Sequence, residues 1–215
     1  MIFRRNVFYQ NLLKINNHNK NKGRTYNAKI NQFAILTPNE FSQYYLTFKP
    51  GTNGNIKENP KIKSVTNGNA QSNLLDSLVI NYGCKGLGVG DQGFCGSCYA
   101  FASSDTIAMI RSGQNGIYIR LSAQFLVNSG GCFGNNFSNP FNYIMSQAGI
   151  PFEISCPYMG LAASNSNSQS SCGSVVNVGL YFHTITTGCE NILSVLQNRP
   201  IAVGIYLYPS MSDYG

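Results

Sequence analysis

The chain has no tryptophan, only two histidines, His18 and His183, and only 11% charged residues among its 215. It lacks any apolar run long enough to cross a bilayer as a helix, so no membrane span is expected. Its opening residues, Met1-Ile2-Phe3-Arg4-Arg5, turn charged too soon to read as a secretory signal. Of its seven cysteines, only Cys95 and Cys98 stand two to four residues apart. A zinc knuckle wants a second such pair, so no metal and no cofactor is expected. The net charge of +7 is unevenly placed. Residues 1–72 hold eleven Lys/Arg and two Glu, a net of +9, whereas residues 73–215 hold four Lys/Arg and six Asp/Glu, a net of −2. A basic arm often marks a nucleic-acid contact, but the spacing within this one points elsewhere, and no nucleic-acid partner is expected.

What is present is a segment built for thiol chemistry. Asp91-Gln92-Gly93-Phe94-Cys95-Gly96-Ser97-Cys98-Tyr99-Ala100-Phe101 places a glutamine six residues before a cysteine, with a glycine-bearing turn between. An apolar helix is expected to begin at Cys98 and to run to Ser112, ending at Gly113. A thiolate at a helix N-terminus meets the positive end of the macrodipole, which favours the charged nucleophile. A side-chain amide such as that of Gln92 can donate to the oxyanion formed when the thiolate attacks a carbonyl. Read alone, Cys95 and Cys98 also fit a thioredoxin-like redox pair or structural cysteines on a buried helix.

The flanks carry further order. Arg4, Phe8, Asn11, Ile15 and Asn19 recur at steps of four, three, four and four, which is one face of an α-helix. Thr37-Pro38-Asn39-Glu40 reads as a helix start, with Thr37 as N-cap, Pro38 at N1 and Glu40 at N3. Residues 49–73 are rich in Asn, Gly and Lys without an apolar period, the composition of an exposed linker. Val175–Val178 and Ile201–Tyr206 read as strands, with a short helix over Glu190–Asn198 between them. The expected class is α+β.

The 91–101 segment resembles the active-site segment of papain-like cysteine peptidases. Leu121-Ser122-Ala123-Gln124-Phe125-Leu126-Val127-Asn128, with Gly131-Cys132-Phe133-Gly134, resembles the family segment that lines the substrate cleft. The Arg4–Asn19 face and Asn31–Phe41 resemble the family's inhibitory prosegment, and Cys156-Pro157-Tyr158 its Y-P-Y turn. The resemblance implies a papain-like fold with a helical left domain mostly present, an incomplete β-barrel right domain, and a helical propeptide in front. It divides the chain into a partial propeptide at 1–48, a linker and processing region at 49–73 with a cut near 65–74, and a peptidase domain at 74–215. It implies Cys98 as nucleophile and Gln92 as oxyanion donor, with Gly96, Gly134 and Asn135 binding substrate. Cys95 would pair with Cys132, closing a loop of about 37 residues and stabilising by roughly 3–4 kcal/mol. Peptide or protein substrates, the chain's own propeptide in the cleft and cystatin-like inhibitors are the implied partners. A lysosomal, vacuolar or secreted location is implied, and six cysteines left for pairing fit an oxidising compartment.

Several residues depart from the family pattern. Tyr99 stands where tryptophan commonly follows the nucleophile. Asn135 replaces a glycine, and its tolerance of positive φ is expected to keep the turn with a narrower cleft. Ser129 replaces a cysteine, leaving Cys172 to find Cys156 or another thiol, and Ile35 replaces an aspartate. The family's histidine base lies about 130–150 residues beyond the nucleophile. His183 lies closer to Cys98 and reads as part of an early barrel strand. The chain is therefore expected to be a fragment of a peptidase precursor, cut into the family pattern at both ends. An inactive homologue used for binding or inhibition, or a CxxC redox protein, are the alternatives. Negligible turnover of a fluorogenic dipeptide substrate is expected from the isolated 215-residue chain; robust turnover abolished by Cys98→Ala would contradict this.

Overall fold

The computed structural model describes residues 2–49, 89–115, 118–162, 172–179, 189–196, 199–205 and 207–213. Most of the linker, Cys84, the Ser/Asn-rich stretch from 164 and His183 lie outside them. Among the described residues six α-helices run in chain order: α1 (Ile2–Lys20), α2 (Pro38–Tyr45), α3 (Cys98–Asn115), α4 (Ala123–Gly130), α5 (Ser138–Ser146) and α6 (Cys189–Leu196). Short 3-10 turns occupy Gln32–Ile35, Glu153–Ser155 and Pro209–Asp213. The residues form two compact units, one of Met1–Thr47 with Ile205–Gly215, the other of Phe48–Gly204.

In the first unit α1 is organised by polar side chains on the face read from the sequence. Arg4 makes a two-pronged bond to Glu40, each N–O distance 2.7 Å, and also donates to Ile35 O. The buried Asn11 amide donates to both Ala34 O and Leu36 O at 2.9 Å. Asn19 both donates to Ala28 O and accepts from Ala28 N–H. Ile15, Ala28, Ala34, Leu36 and Phe41 are buried beside these bonds. The helix start expected at Thr37 is present as a full capping box: Thr37 Oγ1 accepts from Glu40 N–H and the Glu40 carboxylate accepts from Thr37 N–H. Lys29 N–H and the Asn31 amide bind the 3-10 turn at Asp213 O and Ser212 O.

The second unit packs α3, α4 and α5 around Tyr99, Ile107, Leu126, Val127 and Ile144. Helix α3 passes through Gly113 to Asn115, beyond its expected end. A glycine inside a helix costs only about 1 kcal/mol against alanine, too little to stop one by itself. Arg120 lies between Asp105 (3.9 Å) and Glu153 (3.7 Å), joining α3 to the 3-10 turn. Ile150 and Val176 exchange backbone bonds as an isolated antiparallel bridge. Gly149 beside it has φ 156° and a Cβ there would strike Val176 O, so that bridge requires glycine. Helix α6 falls where a short helix was expected, but residues 201–205 form no strand among the described residues. Val203 and Ile205 are exposed there, and no ladder partner lies among the described residues.

The Glu40 carboxylate is held down to about 2 by its bond to Arg4 and by Thr37. A depressed carboxylate stabilises above its unfolded pKa, here 4.5, and the gain is lost as pH falls through the folded value. Acid unfolding of the first unit, followed by helical circular dichroism, should therefore show Glu40-dependent weakening only between about pH 4.5 and pH 2. Glu40→Gln should remove that pH-dependent part. An unchanged acid profile in Glu40→Gln would contradict the assignment.

Candidate active site

The site begins at the turn before α3. Cys95 N–H donates to Gln92 O, and the Gln92 side-chain amide donates back to Cys95 O at 3.0 Å. Ser97 O accepts from Ala100 and Phe101 N–H, so the first helical residue is Cys98. Cys95, Gly96, Ser97, Tyr99 and Ala100 are buried, while Cys98 among them keeps part of its surface exposed. Cys98 takes part in neither disulfide.

A second segment is tied against this turn. Cys95 and Cys132 form a disulfide with Cα atoms 4.6 Å apart. Gly96 N–H donates to Cys132 O (2.8 Å), and Gly134 N–H donates to Gly96 O (3.1 Å), a short parallel pairing. Gly96 thus spends both backbone groups on this pairing. Helix α4 leads into the segment, capped by Ser122, whose hydroxyl accepts from Phe125 N–H and donates to Cys156 O. The buried Tyr99 phenol donates to Gly131 O. Burial, first, then the charges of Cys98 and Tyr158, raise the Tyr99 pKa and keep the phenol protonated.

The positive φ that Asn135 could tolerate falls on Gly134 (φ 77°). Among the described non-glycine residues only Ala148 has a positive φ. With glycine taking the left-handed position, Asn135 is free of that strain and uses Oδ1 to accept from Asn136 N–H and the Asn139 amide. Asn135 O accepts from Lys49 N–H (3.2 Å), and the neighbouring Phe48 ring lies 5.0 Å from that of Phe137. The backbone at the N-terminal edge of the second unit therefore already bonds Asn135 O.

Two residues near the site carry more than their sequence context suggested. The Tyr158 hydroxyl donates to Gln92 O (2.8 Å) and bonds Ser97 Oγ (2.6 Å), and its ring meets Phe101 edge-on at 4.7 Å. Buried Gln124 donates to Asn128 Oδ1 and Leu161 O and accepts from Met159 N–H. Gln124 appears in the sequence only as one letter of a segment, and Tyr158 only as the end of a turn. Cys156 and Cys172 form the second disulfide, the partner choice that the loss of a cysteine at Ser129 had left open. His183 lies outside the described residues, and His18 in α1 bonds Tyr26 O within the first unit. Among the described residues no cluster of three His, Cys, Asp or Glu could hold a metal, and no helix is long and apolar enough to cross a membrane.

Residues 74–215 match the papain family cysteine proteases, and residues 2–41 match the cathepsin propeptide inhibitor domain (I29). The chain belongs to the papain family of cysteine proteases. It is 30% identical over 215 residues to a KDEL-tailed cysteine endopeptidase of Arabidopsis thaliana, covering 93% of this chain and 57% of that protein. Against thiol protease aleurain of the same plant the identity is 31%, covering 100% of this chain and 59% of the relative. The proform of the ragweed pollen allergen Amb a 11, a cysteine protease, superposes with a TM-score of 0.62 at 25% identity, over 82% of this chain and 55% of that one. Procathepsin L 3 of the Tenebrio molitor larval midgut gives 0.58 at 26% identity, over 78% and 55%. The chain thus spans little more than half the length of these relatives. The papain-like fold expected from the motifs is shown.

Non-reducing peptide mapping should recover Cys95–Cys132 and Cys156–Cys172, with Cys98 open to alkylation before reduction. Recovery of a Cys95–Cys98 bridge would restore the redox reading.

Proposed function

We propose that this chain is a cysteine peptidase held as a precursor, with Cys98 as nucleophile. The observation that carries the proposal is Cys98 itself: the first residue of α3, partly exposed, outside both disulfides, and preceded by a turn bearing Gln92. In this reading the Cys98 thiolate attacks a peptide carbonyl carbon. The carbonyl oxygen takes the negative charge and is met by the Gln92 amide and the Cys98 N–H. Collapse of that adduct expels the amine, which leaves with a proton from an imidazole, and water then releases the acid from the thioester. The imidazole is not among the described residues of the second unit.

Gly96, Gly134 and Asn135 are assigned to the substrate path. The 96–134 pairing presents small residues beside the nucleophile turn, and Asn135 O is the acceptor to which Lys49 N–H is already bonded. An incoming peptide would replace that bond with its own N–H. By family likeness the propeptide at 1–48 is read as the chain's own inhibitor, with 49–73 as the processing region and 74–215 as the peptidase part. Cystatin-like inhibitors are candidate partners for the same path. Two disulfides favour an oxidising compartment, of the lysosomal, vacuolar or secreted kind.

The test is hydrolysis of fluorogenic peptides by the full-length, acid-processed protein. Cys98→Ala should abolish it, and Gln92→Ala should lower kcat by about 10²–10³ with a small change in KM. Full activity in Cys98→Ala would overturn the assignment.

A further inference from the structure

We propose that Tyr158 is a positioning residue for the oxyanion site, acting through the backbone of Gln92. The inference rests on the peptidase reading above. Tyr158 touches residues six before, one before and three after Cys98: its hydroxyl bonds Gln92 O and Ser97 Oγ, and its ring packs on Phe101.

The direction of the bonds follows from counting protons. A phenol has one, and Tyr158 gives it to Gln92 O at 2.8 Å. The 2.6 Å bond must then take its proton from Ser97 Oγ, leaving the 3.3 Å contact of Ser97 to Cys95 O as the lesser one. Ser97 is fully buried and Tyr158 half-buried, so water competes poorly for either bond. Tyr158 is itself braced. Gln124, in α4, accepts from Met159 N–H and donates to Leu161 O, on the backbone just beyond it.

The consequence is geometric. An oxyanion donor works only when its N–H lies at hydrogen-bond distance from where the charge develops, and small displacements are costly. The Gln92 amide is oriented at one end by Cys95 O. Its backbone is fixed at the other end by Tyr158. Removing the phenol oxygen leaves Gln92 present but less well placed.

The experiment compares Tyr158→Phe with the parent in the full-length, processed enzyme. For peptide hydrolysis, kcat should fall about tenfold with KM within about twofold. Alkylation of Cys98 by iodoacetamide forms no oxyanion, so its rate should stay within about twofold of the parent. In a Gln92→Ala background, Tyr158→Phe should cost nothing more, because the group it positions is gone. Ser97→Ala keeps the Tyr158–Gln92 bond and should lose only about threefold in kcat; it stands as the second variant if Tyr158→Phe does not accumulate. Unchanged kcat in Tyr158→Phe, an equal loss with and without Gln92, or alkylation falling in step with hydrolysis would overturn the inference. A parent enzyme without Cys98-dependent hydrolysis would instead sink the peptidase reading, and this inference with it.

Discussion

The bridge between Cys95 and Cys132 is the constraint on which the second unit depends. It lies three residues before Cys98 and brings a segment from 37 residues away against the turn. The chain-entropy model gives such a loop roughly 3–4 kcal/mol, but its larger effect is on register. With the sulfurs joined, Gly96 can pair only with the residues around Phe133. A side chain at Gly134 would meet the cost of a left-handed backbone, since its φ is 77°. Tyr99 fastens the other end of the same segment at Gly131 O. Residues on both sides of Cys98 are thus buried and committed to holding the neighbouring segment. Cys98 lies between them, partly exposed, and its place at the start of α3 is fixed by that burial.

Polar side chains, more than apolar ones, hold the irregular segments in both units. The stretches 28–36 and 156–161 have few ladder partners, yet their buried backbone groups still require bonds. A side-chain amide offers two donors and an acceptor, so one residue can serve several such groups. Asn11 serves Ala34 O and Leu36 O, Asn19 serves both groups of Ala28, and Gln124 serves Met159 N–H and Leu161 O. Leucine at Asn11 would add apolar contact but leave the buried Ala34 and Leu36 carbonyls unpaired, each at a cost of about 1–3 kcal/mol. The α1 face is therefore recognisable by residue identity and spacing, while a search for apolar periodicity alone would pass over Arg4, Asn11 and Asn19.

What could be read in advance was local in sequence. The Thr37–Glu40 capping box needs four consecutive residues, and it is present as read. The start of α3 at Cys98 follows from the turn chemistry just before it. Helix α3 runs past Gly113, where the sequence suggests an end, because one interior glycine costs only about 1 kcal/mol. Residues 201–205 carried the right alternation, but a strand is a relation between two segments and no ladder is present at those residues. The tolerance of positive φ that asparagine offers goes unused, because Gly134 takes the left-handed position and spacing alone does not say which of two neighbours will. Tyr158 marks the limit most clearly. Its bond to Gln92 joins residues 66 apart, and its bond to Ser97 residues 61 apart. Nothing in the Cys156-Pro157-Tyr158 triplet records either partner. Where the disulfides and Gln124 hold both segments, one hydroxyl reaches the Gln92 carbonyl and the Ser97 hydroxyl, on the two sides of the turn that precedes the nucleophile.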